Sequence, residues 1–229
     1  DKHVLWIDSG TLPSGQPNYE ENTETGKVNK LEAVLITKML MQLETEYLKQ
    51  GFTAANPKQV AVITFYNKQL HEIRNAIRNV GNFTAIKVNI NTVDKFQGQE
   101  RPIVIVSMVR CPRGKLSRIA NTASFERINV AFSRAQELLV IVGSVKTFNS
   151  YPVELPNLDN TAKRSVHVYK NIIDELDRNA CFHTAKDVLS VLEFNRLMGV
   201  SNTPKGYISH PIFNFETIQQ ERNINNAIT

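Results

Sequence analysis

Arg127 and Arg134 bracket the string Arg127-Ile128-Asn129-Val130-Ala131-Phe132-Ser133-Arg134-Ala135. An i, i+7 pair on a helix lies within about 20° of one line. A helix over residues 125–136 would therefore carry both guanidinium groups on one side, with Phe125, Ile128 and Phe132 on the other. Arginine presents five donors in a fixed fork, which suits phosphate oxygens better than lysine does. Small residues around Arg134 leave room for another surface to approach. A solvated helix face has the same pattern, so the pair alone does not decide.

Two further strings carry polar chemistry at places where a sheet would end. Thr92-Val93-Asp94-Lys95-Phe96-Gln97-Gly98-Gln99-Glu100 lies between two strand-like runs and supplies a hydroxyl, an amide and a carboxylate from Thr92, Gln97 and Glu100. Gly98 allows a backbone group to come close to a ligand. The plainer reading is a cap at Thr92 or Asp94 followed by a turn at Gly98. Ile63-Thr64-Phe65-Tyr66-Asn67-Lys68-Gln69 closes a buried strand and opens a helix. Ligands of open α/β sheets bind beyond the carboxyl ends of strands, although a simple strand-to-helix turn capped by Asn67 would read the same way.

In this order the three strings resemble motifs IV, V and VI of the second RecA-like domain of superfamily 1 helicases, in the branch that includes the nonsense-mediated-decay helicases. Motif IV usually has proline at the position of Phe65, and motif VI more often has threonine at that of Ser133. The segment Asn29 to Leu40 resembles the helix that precedes motif IV, and the resemblance spans roughly residues 1–150. It implies that Arg134 is an arginine finger for the γ-phosphate of ATP. Gln97, Gly98 and Glu100 would approach the nucleotide, with Glu100 near the ribose, and Arg127 is a further candidate there. Thr64, Tyr66, Asn67 and Thr92 would face single-stranded DNA or RNA. ATP with Mg²⁺ would be held mainly by an N-terminal RecA-like domain of the same polypeptide.

The phosphate-loop pattern Gly-x-x-x-x-Gly-Lys-[Ser/Thr] does not occur in the chain. Gly143-Ser144-Val145-Lys146-Thr147 lacks the glycine before lysine and reads as a strand exit and helix start. With no initial methionine, and without the family's glutamine–tyrosine–arginine–methionine segment, the chain is expected to be part of something longer. It would hold half an ATP site and be inactive by itself. The alternative is a non-catalytic RecA-like scaffold that binds nucleic acid or protein.

The elements that must position these residues alternate between strand and helix. Val4 to Asp8 reads as a strand, and the polar, Pro- and Gly-containing stretch 9–27 as a surface loop. Leu31, Leu35, Met39, Leu43 and Tyr47 recur at helical spacing between Asn29 and Gln50, and Gly51 is a plausible stop. Runs at 60–66, 103–109 and 138–142 are continuously β-prone, as in parallel strands covered on both faces, and 86–90 alternates. Helices fit around Leu70, Ile73, Ile77 and Val80, and at 125–136. The expectation is an α/β fold: a RecA-like, mostly parallel sheet flanked by helices, with a small C-terminal helical appendage.

Composition sets the outer bounds. With 41% hydrophobic and 21% charged residues, the 229-residue chain is globular in type. No apolar run approaches the ~18 residues of a membrane span, and no signal peptide opens the chain. Two cysteines, Cys111 and Cys181, suit a reducing intracellular, cytoplasmic setting. A net charge of +5 permits a polyanionic partner without establishing one. The domain expectation is 1–150 RecA-like, 151–200 a non-regular linker and appendage with helices near 166–178 and 184–198, and 201–229 a polar tail. Arg110, Arg113, Lys115 and Arg118 read as a solvated loop, with nucleic-acid contact as the alternative, Asp174-Glu175-Leu176-Asp177 as a solvated helix face, and Cys181 with His183 as no metal site.

Overall fold

A computed structural model describes residues 3–114, 119–156 and 163–199. In chain order the elements are β1 (His3–Asp8), β2 (Glu21–Thr23), β3 (Gly26–Val28), α1 (Lys30–Lys49), β4 (Lys58–Thr64), α2 (Asn67–Arg78), β5 (Ile86–Thr92) and β6 (Arg101–Ser107). They continue with α3 (Phe125–Ser133), β7 (Ala135–Val142), α4 (Val145–Ser150), β8 (Val153–Pro156), β9 (Lys163–Val166), α5 (Val168–Arg178), β10 (Phe182–Thr184), α6 (Ala185–Val188) and α7 (Val191–Leu197).

Six strands form one sheet in the order β10-β1-β7-β6-β4-β5, and every neighbouring pair is parallel. The middles of the central strands, 60–63, 103–106 and 138–142, are apolar because both faces are covered. On one face α1 lays Leu31, Leu35, Met39 and Leu43 against Val60, Val62, Ile103, Ile105 and Val140. On the other, Trp6, Phe96, Phe148 and Tyr169 pack with Ala61, Ile63, Val104, Val106 and Ile141. Tyr169 stands edge-on to Phe148 at 4.8 Å and to Trp6 at 6.5 Å, and its hydroxyl donates to the Thr122 carbonyl. The expected α/β sheet is present.

Helix α1 follows its apolar periodicity. Asn29 caps it by accepting from the Glu32 amide, and the chain turns at Gly51 with φ +84°. Other boundaries differ from expectation. The stretch 9–27 contains the hairpin strand β2 and the start of β3, built from Glu-Asn-Thr and Gly-Lys-Val, which carry no apolar alternation. Strand β6 begins at Arg101 and β7 at Ala135, while β4 and β6 stop at Thr64 and Ser107, short of Tyr66 and Val109.

The segment 151–157 is not an irregular linker, because β8 pairs antiparallel with β9 across its described part. The helix expected over 184–198 is two helices. Ser190 caps α7 through a reciprocal pair with Glu193, which breaks the chain at Leu189. Residues 182–184 form β10, which adds to the sheet beside β1. Arg110 is not on a solvated loop: it is 3% exposed and its Nε donates to Glu20 at 2.9 Å. Lys115, Arg118 and the tail 201–229 lie outside the described residues.

Candidate functional site

The residues singled out by the sequence fall at opposite ends of the sheet. Gln97, Gly98, Glu100 and Arg134 stand where β6 and β7 begin. Thr64, Tyr66, Asn67 and Thr92 stand where β4 and β5 end. A 3₁₀ turn, Val93–Phe96, runs between the two ends with Val93 and Phe96 buried in the core beneath it.

At the strand-start end, Arg134 is not on the body of α3. The helix ends at Ser133, and Arg134 is its C-terminal cap. The helical stripe that carries Arg127 ends one residue before Arg134, which keeps right-handed helical backbone angles at the cap. Its apolar counterpart also shifts: Ile128 and Ala131 are buried, whereas Phe125 is 37% exposed. Backbone pairing fixes Arg134 instead. The Arg101 amide donates to the Arg134 carbonyl at 3.0 Å, tying the exit of one motif to the exit of the other. The Arg134 Nε is buried without a hydrogen-bond partner, and no carboxylate pairs with this side chain among the described residues.

Around it, Gln97, Gly98 and Glu100 are exposed. Gly98 sits at φ +77°, in the left-handed region that glycine tolerates, and a Cβ there would meet nothing within 4 Å. Glu100 Oε2 accepts a long hydrogen bond from Gln136 Nε2 at 3.5 Å. Arg127 is engaged elsewhere: its Nε and Nη2 donate to the two oxygens of Asp94 at 3.0 and 3.1 Å.

At the strand-exit end, Thr64 and Thr92 are direct neighbours in the β4–β5 register, and Thr64 also faces Ser107 of β6. Thr64 is fully buried and its Oγ1 has no partner. Thr92 and Tyr66 are almost covered, and burial pushes the Tyr66 phenol upward while the neighbouring Arg110 guanidinium opposes that shift. Asn67 is exposed and is the first residue of α2. The cap position belongs to Tyr66, so Asn67 is not the cap.

Beneath this end lies a buried polar hub that the motif reading passed over. Glu32 accepts from Ser107 Oγ at 2.6 Å, the Val109 amide at 2.8 Å, Ser9 Oγ at 3.0 Å and Asn29 Nδ2 at 3.3 Å. Gln69 joins it, with Nε2 donating to Ser107 Oγ and to the Asn29 carbonyl. The hub ties the exits of β1 and β6 to α1 and α2. Burial pushes the Glu32 carboxyl up to about 7 despite its donors. The visible signal was the Asn29-x-x-Glu32 spacing of a helix start.

Residues 1–146 match the family model described as an AAA domain. The chain belongs to this family. The chain is 35% identical over 157 residues to the DNA replication ATP-dependent helicase/nuclease DNA2 of Xenopus laevis, covering 64% of the chain and 14% of that relative. It is 29% identical over 150 residues to the DNA replication ATP-dependent helicase/nuclease JHS1 of Arabidopsis thaliana, covering 64% and 10%. It is 33% identical over 133 residues to Helicase sen1 of Schizosaccharomyces pombe, covering 57% and 8%. The chain thus spans between 8% and 14% of the lengths of these relatives. With the parallel sheet and the ordered motifs, the AAA domain is the second, C-terminal RecA-like domain of a superfamily 1 helicase. No described helix is long and apolar enough to cross a membrane.

Proposed function

We propose that this chain is the C-terminal motor half of an ATP-dependent nucleic-acid helicase or translocase. It supplies an arginine finger, Arg134, and part of a single-strand track to a phosphate-loop domain of the same polypeptide. The observation that carries the reading is the buried, partnerless Arg134 Nε beside an open glycine and an exposed carboxylate. A buried donor left unmade costs about 1–3 kcal/mol, and an anionic oxygen arriving from outside would offset that cost.

The residues at this end suit the γ-phosphate and ribose of ATP, whose Mg²⁺ would be held mainly by the N-terminal domain. Arg134 suits a γ-phosphate, and the left-handed Gly98 lets backbone come close. Glu100 is exposed, and in this reading its carboxylate accepts from a ribose hydroxyl. ATP supplies the phosphoryl bond whose cleavage drives the motor. Arg134 contributes positive charge where charge develops, and the Arg101–Arg134 backbone bond keeps it in register. Arg127 acts one step away, by holding Asp94 and so the 3₁₀ turn that leads to Gly98. Thr64, Tyr66, Asn67 and Thr92 form the nucleic-acid end, and the 3₁₀ turn joins the two. The two cysteines are unpaired thiols, which suits a reducing cytoplasmic setting.

The test is ATP hydrolysis by the protein that joins this chain to its phosphate-loop domain. Arg134→Ala should lower turnover by about 10³–10⁵ with nucleic-acid binding retained. Unchanged turnover would assign the chain to the scaffold class instead.

A further inference from the structure

A cavity of about 450 Å³ opens beyond the carboxyl ends of β1, β6 and β7, on the same edge of the sheet as Thr64 and Thr92 but outside all three motifs. Three walls line it: the loop Gly10–Tyr19, the loop Cys111–Gly114 and the length of α4 with its flanking Ser144 and Tyr151. The loops hold each other. The Glu20 amide donates to the Cys111 carbonyl at 2.8 Å, the Cys111 amide donates to Glu20 Oε2 at 2.6 Å, and Cys111 Sγ contacts the Asn18 carbonyl at 3.0 Å. The cavity is therefore built before any ligand arrives.

Its lining has a distinct chemistry. The Tyr19 ring is 36% exposed, and the Arg113 guanidinium lies over it at 5.1 Å. Lys146 and Ser150, both exposed, face in from α4, and no carboxylate lines the space among the described residues. Asp8, the nearest acid on the strand ends, is occupied by the Gly10 and Val145 amides, each at 2.9 Å. An aromatic ring with a stacked guanidinium offers a flat surface to any base, and a nearby lysine suits the adjoining phosphate. Arg110 and Glu20 bridge from Tyr66 at the motif end to the cavity wall at Cys111, so the two areas are contiguous.

Resting on the motor reading, we propose that this cavity takes one further nucleotide of a single strand. The Tyr19–Arg113 pair stacks its base, and Lys146 binds the backbone phosphate beside it. The track then runs along the exit edge of the sheet from β5 and β4 to β7 and β1.

The experiment is fluorescence anisotropy of the full chain with labelled thymidine and uridine oligonucleotides of about 12 nucleotides. Tyr19→Ala and Arg113→Ala should each weaken binding about tenfold or more, with thermal melting unchanged. Tyr19→Phe, which keeps the ring, should bind like the parent. Lys146→Ala should weaken both oligonucleotides alike and reduce the salt slope by about 1. If Asn67→Ala weakens binding while Tyr19→Ala and Arg113→Ala do not, the cavity proposal is overturned and the motor reading stands. If the folded chain binds neither oligonucleotide, the cavity proposal is overturned, and the motor reading is decided separately by the Arg134→Ala hydrolysis test.

Discussion

Arg127 closes on both carboxylate oxygens of Asp94, at 3.0 and 3.1 Å, across a separation of 33 residues. The pair fastens α3 to the 3₁₀ turn and so joins two motifs whose last residues meet where β6 and β7 begin. Both side chains are substantially open to water, Asp94 at 61%, which limits the energy of the contact. A double-mutant cycle with Asp94→Ala and Arg127→Ala should give a coupling of about 0.2–1 kcal/mol in urea unfolding. Raising the salt should shrink it.

Glu32 makes stability depend on pH. Its carboxyl is raised from 4.5 to about 7, so the folded state holds a proton that the unfolded chain gives up. A raised folded value means stability that is complete below the ordinary value and is lost as pH climbs towards neutrality. Between about pH 4.5 and 7 the loss is on the order of 3 kcal/mol. Urea midpoints should fall over that window in the parent and stay level in Glu32→Gln. Glu32→Leu should cost more than Glu32→Gln at every pH, because it strands several buried donors.

The two thiols should behave differently. Cys111 is buried and its thiol is pushed up to about 11, chiefly by burial, whereas Cys181 is partly exposed. With a thiol-disulfide reagent near pH 8, Cys181 should react first and Cys111 only on unfolding. Two fast-reacting thiols in the native chain would contradict the packing described for the Cys111 loop.

Gly143 is a point of close approach. A Cβ there would lie 2.8 Å from both Cβ and Cγ of Met108 and 3.2 Å from Phe148, and the Gly143 carbonyl accepts from Trp6 Nε1 at 2.9 Å. Gly143→Ala should cost about 1–3 kcal/mol by overpacking. Thermal unfolding would show a drop of about 2–4 °C for each kcal/mol.

The parallel sheet was readable because strand interiors covered on both faces are apolar, as 60–63, 103–106 and 138–142 are. Helix α1 was readable from its spacing and from Asn29. Strands β2, β8 and β9 were not, since exposed residues pair through backbone and leave no pattern in side-chain type. The ordered motifs identified which residues belong together, but not how. Periodicity put Arg127 and Arg134 on one stripe, but it could not show that Arg127 closes on Asp94 while Arg134 caps the helix and is tied to Arg101. Arg110 looked like one cation of a solvated run because nothing local reveals its ion pair with Glu20, 90 residues away. Long-range pairing of charges is what a one-dimensional reading loses.

The position of β1 has a consequence for how the chain is made. The first strand of the sheet lies between β7 and β10, so neither neighbour exists until residues 135–142 and 182–184 have been synthesised. Trp6 and Ile7 must wait, apolar and unpartnered, while β4, β5 and β6 can already zip together behind them. Such distant closure slows folding, and it makes the N-terminal strand the last to be enclosed as the nascent polypeptide leaves the ribosome.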